Sequence, residues 1–169
     1  MTALPVLAIG TAGTLFILLA GHPSAVPVEI VPGAVESQPF GCTSFELEPV
    51  EPSCPGGHFH SGIDLAAPDG TPVRTPGEGV ARVGSGGPCG IHVLVQHGGG
   101  FETLYCHLSD AAVADGQPVA AGQRIGSVGA TGAATGPHLH FEIHRNGRPV
   151  DPATWLSQLP ASTRHIGGY

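Results

Sequence analysis

The sequence predicts an all-β domain built on an antiparallel sheet, with a hydrophobic helix placed before it at the N-terminus. Three observations carry that expectation. Short Val-, Ile- and Leu-rich runs are punctuated by turn signals such as Pro68-Asp69-Gly70 and Asp115-Gly116. Two alternating segments, Ile91 to His97 and Phe101 to Leu108, flank Gly98-Gly99-Gly100 in the pattern of a β-hairpin. The run from His138 to His144 alternates strictly, with Leu139, Phe141 and Ile143 on one face and His138, His140, Glu142 and His144 on the other.

Composition bounds the rest. Of 169 residues, 27 are Gly and 17 are Pro, yet 41% are hydrophobic, which is enough for one packed domain. Charged residues make up only 11%, with a net charge of -7 and no Lys, which removes the electrostatic basis for binding nucleic acid. Ten histidines in so lightly charged a chain stand out. Histidine is the commonest metal ligand and the usual acid or base near neutrality, so what matters is which of the ten converge.

Taken in order, the chain opens on a stretch with no charged side chain before Glu29. Leu4 to Ala20 is predominantly apolar and sits near the lower limit for crossing a bilayer, about 17 residues. Residues 1–21 therefore read as a membrane anchor or signal segment. The missing basic start and the lack of a clean cleavage site favour an anchor over a cleaved signal, with a buried core helix as a third reading. Residues 22–39, carrying Pro23, Pro27 and Pro32, read as an extended linker, residues 40–160 as the folded domain and residues 161–169 as a tail.

Four cysteines allow three pairings. Folding the hairpin about Gly99 brings Cys106 near Cys89, which leaves Cys42 and Cys54 to close a loop before the first histidine cluster. No CxxC is present, so two disulfides are expected rather than a cysteine zinc site, and with them an oxidising, extracytoplasmic compartment. A weak repeat relates Asp69-Gly70-Thr71-Pro72-Val73 to Asp115-Gly116-Gln117-Pro118-Val119. Two copies of one β-unit point to a pseudo-symmetric sheet. From Phe40 onward, helical signal is confined to the tail near Asp151 to Leu156.

Two short clusters carry the chemistry. His60 and Asp64 are four apart with Gly62 between them, and His138 and His140 project from one face of a strand. Two neutral imidazoles and one carboxylate make three protein ligands, which leaves a fourth position for water and is the catalytic rather than the closed structural zinc pattern. His107, at the end of the hairpin, follows the alternation Phe101, Thr103, Tyr105 and is expected on the face opposite Leu104 and Leu108. Glu142 lies on the face of His140 and can orient it. His22, His58, His92, His97, His144 and His165 read as linker, rim, surface or tail residues.

The segments FHSGIDLAAPDGTPV from Phe59, ETLYCHLS from Glu102 and VAAGQRIGSVGATGAATGPHLHFEI from Val119 occur in that order. Together they resemble the lysostaphin/LytM-type zinc endopeptidases that cut peptidoglycan cross-bridges, over about Phe40 to Leu156. The resemblance implies the antiparallel LytM, or duplicated-hybrid-motif, core with a groove across its sheet. It implies one Zn2+ held by His60, Asp64 and His140, with His107 and His138 assisting catalysis, and peptidoglycan as the partner; a membrane is expected as a further partner through the N-terminal segment, which lies outside the resemblance. A cell-envelope enzyme and a virion-borne one both suit it. The alternatives are a non-catalytic LytM-like regulator of other hydrolases and, from the repeated β-unit, a cytoplasmic phosphocarrier-like module. All five site positions are present, and the cysteines and apolar N-terminus oppose the carrier.

Overall fold

The structure, a computed structural model, describes residues 29–158. The apolar segment at 1–21, the first part of the expected linker and the 161–169 tail lie outside the described residues. Among the described residues, no helix is long and apolar enough to cross a membrane.

Twelve short strands and one terminal helix make up the described chain. They are β1 (Val35–Gln38), β2 (Gly41–Thr43), β3 (His58–His60), β4 (Ile63–Ala66), β5 (Pro72–Arg74), β6 (Gly79–Gly84), β7 (Ile91–Gly98), β8 (Phe101–Ala111), β9 (Pro118–Val119), β10 (Arg124–Val128), β11 (His138–Arg145), β12 (Arg148–Val150) and α1 (Pro152–Gln158). The large sheet runs β1-β4-β11-β8-β7-β6-β9, with β12 on β11 and β10 bridging β5 and β8; β2 and β3 form a separate ribbon. Every pairing is antiparallel.

Alternation builds the core as the sequence predicts. Leu139 and Phe141 are fully buried and Ile143 nearly so, while the residues between them face the opposite side. Val93 and Val95 on β7, Tyr105 and Leu108 on β8, and Ile63 and Leu65 on β4 meet them in one cluster. The two repeat units exchange partners. β5 of the first pairs with β10 of the second, and β9 of the second pairs with β6 of the first. Each Asp-Gly turn closes onto its partner strand through a backbone bond of 2.8 Å, Gly70 N–H to the Val128 carbonyl and Gly116 N–H to the Ala81 carbonyl. The helix at the tail starts where expected, because the Asp151 carboxylate accepts from the Ala153 amide and Pro152 occupies the first turn.

The folded unit reaches further toward the N-terminus than the expected start at residue 40. Ile30 and Val31 are fully buried in the core, and β1 pairs with β4. Prolines had hidden this segment, because it packs as an edge strand and an extended arm, neither of which needs a periodic pattern.

Candidate metal centre and active site

β11 lies between β4 and β8, and the register sets Asp64 directly opposite His140 on one flank and Cys106 opposite it on the other. The pleat turns His138, His140 and Glu142 away from the core face of Leu139, Phe141 and Ile143. His60 arrives from the small ribbon, at the end of β3, where its ring is fully buried. From there the chain crosses β11 closely. A Cβ on Gly62 would stand 2.4 Å from the Phe141 carbonyl oxygen, so the glycine in the His60–Asp64 spacing is a steric requirement.

Three donor atoms converge. The Nε2 of His60 lies 3.2 Å from Asp64 Oδ1 and 3.0 Å from His140 Nδ1, and His140 Nδ1 lies 2.9 Å from the same Asp64 oxygen. Neighbouring interactions fix the tautomers. A carbonyl only accepts, so His60 uses its Nδ1–H on the Pro39 carbonyl at 2.8 Å, and its Nε2 lone pair points inward. His140 donates its Nε2–H to Glu142 at 2.9 Å, and its Nδ1 lone pair points to the same place. Two lone pairs and a carboxylate facing one point form a donor set that a shared proton or a metal ion can occupy.

The titration behaviour says the same. Burial opposes the charge on Asp64, yet hydrogen bonds from His140 and His60 hold its carboxyl well below the usual range. Burial likewise disfavours the imidazolium forms, but Asp64 and Glu142 together push His140 up to about 9, and Asp64 and the Pro39 carbonyl raise His60. Protons are thus drawn into the gap when nothing larger fills it. For bonds of about 2.0–2.1 Å, tetrahedral ligands stand about 3.3 Å apart, close to the three separations observed, so the donor set fits a zinc ion.

Glu142 is tied down in turn. It accepts from Ser61 Oγ at 2.6 Å, from His140 and from His144 Nε2. These bonds outweigh its burial and keep it ionised. The contributions of Ser61, His144 and the Pro39 carbonyl had no signal in the sequence, since each depends on which strands become neighbours.

The remaining two histidines flank the triad. The ring centroids of His107 and His138 are 4.7 Å apart, and His107 stands 5.9 Å from His140. Each spends its Nδ1–H on a carbonyl at 2.8 Å, Thr131 for His107 and Gly136 for His138, which leaves Nε2 of each free to act. The His138 Nε2 lies 3.8 Å from Asp64 Oδ2. Burial pushes the His107 pKa down, so its imidazole is neutral at pH 7. One expectation is corrected here. His107 lines the same groove as Leu104 and Cys106 rather than the face of Tyr105, because β8 carries an extra residue relative to β7 between Tyr105 and Leu108, and His107 has a φ of 63°. A bulge of this kind re-aims the side chain.

The five residues stand at the floor of a groove of about 850 Å³, in which only His60 does not reach the lining. Both expected disulfides are present, Cys42–Cys54 and Cys89–Cys106. The first closes a loop that brings the exposed apolar side chains of Phe45, Leu47 and Val50 to the groove, together with Glu48, 3.9 Å from His60 Nε2. His58 fastens this loop through the Glu48 carbonyl at 2.7 Å.

Comparison with known proteins agrees with this geometry. The chain is 43% identical over 129 residues to the DD-carboxypeptidase/endopeptidase Mpg of Neisseria meningitidis serogroup B, covering 76% of this chain and 28% of that protein. It therefore spans about a quarter of the length of such relatives. Its fold matches a mutant catalytic domain of the prophage-encoded M23 protein EnpA from Enterococcus faecalis, with a TM-score of 0.63 and 31% identity over 79% of this chain and 98% of that one. It also matches a zinc-containing peptidase from Vibrio cholerae, with a TM-score of 0.59 and 34% identity over 75% of this chain and 38% of that one. Residues 58–152, which hold every residue of the candidate site, match Peptidase family M23, and the chain belongs to that family.

Proposed function

We propose that the domain is a zinc-dependent endopeptidase that hydrolyses peptide bonds in the cross-links of bacterial peptidoglycan. The observation that carries this reading is the convergence of the His60, Asp64 and His140 lone pairs beside two imidazoles with free Nε2 atoms. The similarity to a DD-carboxypeptidase/endopeptidase and to a zinc-containing peptidase supports the substrate class and the metal. The two disulfides and the substrate argue for an extracytoplasmic location, with the apolar segment at 1–21 read as the anchor or signal that takes the chain there.

A Zn2+ held by the three ligands would supply Lewis-acid chemistry, polarising the scissile carbonyl and acidifying the attacking water. The protein's own groups do the rest. His107, kept neutral by burial, accepts the water proton at Nε2, and the Thr131 carbonyl holds Nδ1–H as the ring becomes cationic. His138, whose Nε2 lies 3.8 Å from Asp64 Oδ2 and whose Nδ1–H is held by the Gly136 carbonyl, orients the attacking water by accepting a hydrogen bond from it at Nε2. The proton taken by His107 then passes to the departing amine. Glu142 keeps His140 in the tautomer that presents Nδ1. A non-catalytic regulator would have no need for all five groups in this arrangement.

The test is incubation of the purified protein with peptidoglycans of different cross-link chemistry, followed by mass spectrometry of released fragments. Fragments cut at one peptide cross-link, abolished by chelation, are expected. Intact sacculi from every source would contradict the proposal.

A further inference from the structure

We propose that the Cys89–Cys106 disulfide is the positioning device of His107, so that turnover requires this bond to be closed. The inference rests on the endopeptidase reading and deepens it. His107 sits at a gap in the sheet. On the β7 side the register steps from Val93 opposite Tyr105 to Ile91 opposite Leu108. On the β11 side pairing ends with His140 opposite Cys106, and on the β10 side it resumes with Val128 opposite Leu108. No ladder pair in the described sheet includes His107.

Its backbone also adopts a left-handed φ of 63°, a conformation that is strained for a residue with a Cβ. Left to itself, such a residue would relax toward a regular strand and take its ring with it. Cys89 prevents this in two ways. Its carbonyl accepts the His107 amide at 2.8 Å, and its sulfur is bonded to Cys106, the residue immediately before. The pair thus replaces the missing ladder at the one place where the ring must be held.

The turn that carries Cys89 is itself braced. The Ile91 amide and the Thr131 hydroxyl are 2.9 Å apart, Thr131 Oγ1 donates to the Leu108 carbonyl at 2.8 Å, and the Ala133 amide donates to the Pro88 carbonyl at 2.8 Å. Gly90 lies so close that a Cβ there would stand 2.4 Å from Thr131 Oγ1. Thr131 therefore receives the His107 ring through its carbonyl and anchors the disulfide's turn through its hydroxyl. By contrast, His60, Asp64 and His140 rest on β3, β4 and β11, and none of their side-chain bonds involves Cys89. Opening the bond should disturb the base and spare the metal.

The experiment compares the wild-type protein with the Cys89→Ala/Cys106→Ala variant, which keeps Cys42–Cys54. Zinc content, kcat and KM on a cross-linked peptide, and the nitrogen NMR signals of the His107 ring are measured. The expected result is full zinc loading, a KM within about twofold, a kcat lowered about 10- to 100-fold, and a shifted His107 ring signal. An unchanged kcat and ring signal, or zinc and kcat lost together, would overturn the proposal. If the variant does not fold, the zinc-loaded wild-type protein is opened in place with a water-soluble phosphine, and alkylation with mass spectrometry shows which bond has opened. Turnover should then fall as Cys89–Cys106 opens, before zinc leaves, and return on reoxidation. Loss only in step with zinc release overturns the inference. An oxidised, zinc-loaded protein that releases no fragments counts against the endopeptidase reading instead, and the ring signal still decides the role of the disulfide.

Discussion

At the scale of single residues, the proposed function gives His60, Asp64 and His140 the task of holding a cation and His107 and His138 that of acting on the attacking water. Asp64→Ala or His140→Ala removes one of three converging donors and leaves the others facing each other, so both zinc and hydrolysis should be lost. His107→Ala leaves all three donors in place. It should retain one zinc per chain, as measured by metal analysis, while turnover falls about 100- to 10,000-fold. Glu142→Gln is a subtler change. It keeps the shape but removes the charge that accepts from His140, Ser61 and His144, so zinc affinity should fall roughly 10- to 100-fold in a competition titration with a chelator. The sequence placed Glu142 on the face of His140 by strand alternation alone. It could not supply Ser61 or the Pro39 carbonyl, because both meet the site only once β3, β4 and the arm before β2 are brought onto β11.

At the scale of elements, the two alternating runs show what pattern can and cannot say. In β11 the alternation is unbroken, and His138, His140 and Glu142 share one face as the sequence indicates. In β8 the same rule fails at His107, because a bulge puts both Tyr105 and Leu108 in the core, three residues apart, and turns His107 toward the groove. Bulges leave no mark in a period-two pattern, whereas the glycine between His60 and Asp64 does have a physical meaning. Gly62→Ala would drive a Cβ into the Phe141 backbone and force β4 away from β11. It should cost about 1–3 kcal/mol of stability, seen as a lowered thermal midpoint. It should also weaken zinc binding, since Asp64 and His140 face each other across those two strands.

At the scale of the whole molecule, two β-units that exchange partner strands make the scaffold, and the site forms where the N-terminal ribbon closes over it. The reach of the core back to Ile30 was hidden in the sequence by proline, since an extended arm is recognised only by what it packs on; here the Ile30 carbonyl accepts the Arg74 amide at 2.9 Å. The site also makes stability depend on pH when no metal is bound. The folded-state pKa of His140 is raised, from 6.5 to about 9, and His60 is raised as well. Their contribution is complete below the unfolded value and is lost as pH rises through the folded one. Chelator-treated protein should therefore lose stability progressively between pH 6.5 and about 9, and zinc-loaded protein should not, in parallel denaturant titrations. The most direct test of the central claim is back-titration of metal-free protein with Zn2+ while fragment release from cross-linked peptidoglycan is followed. Release should rise from a negligible level and reach its plateau near one equivalent per chain. Undiminished release by the metal-free protein would contradict the account.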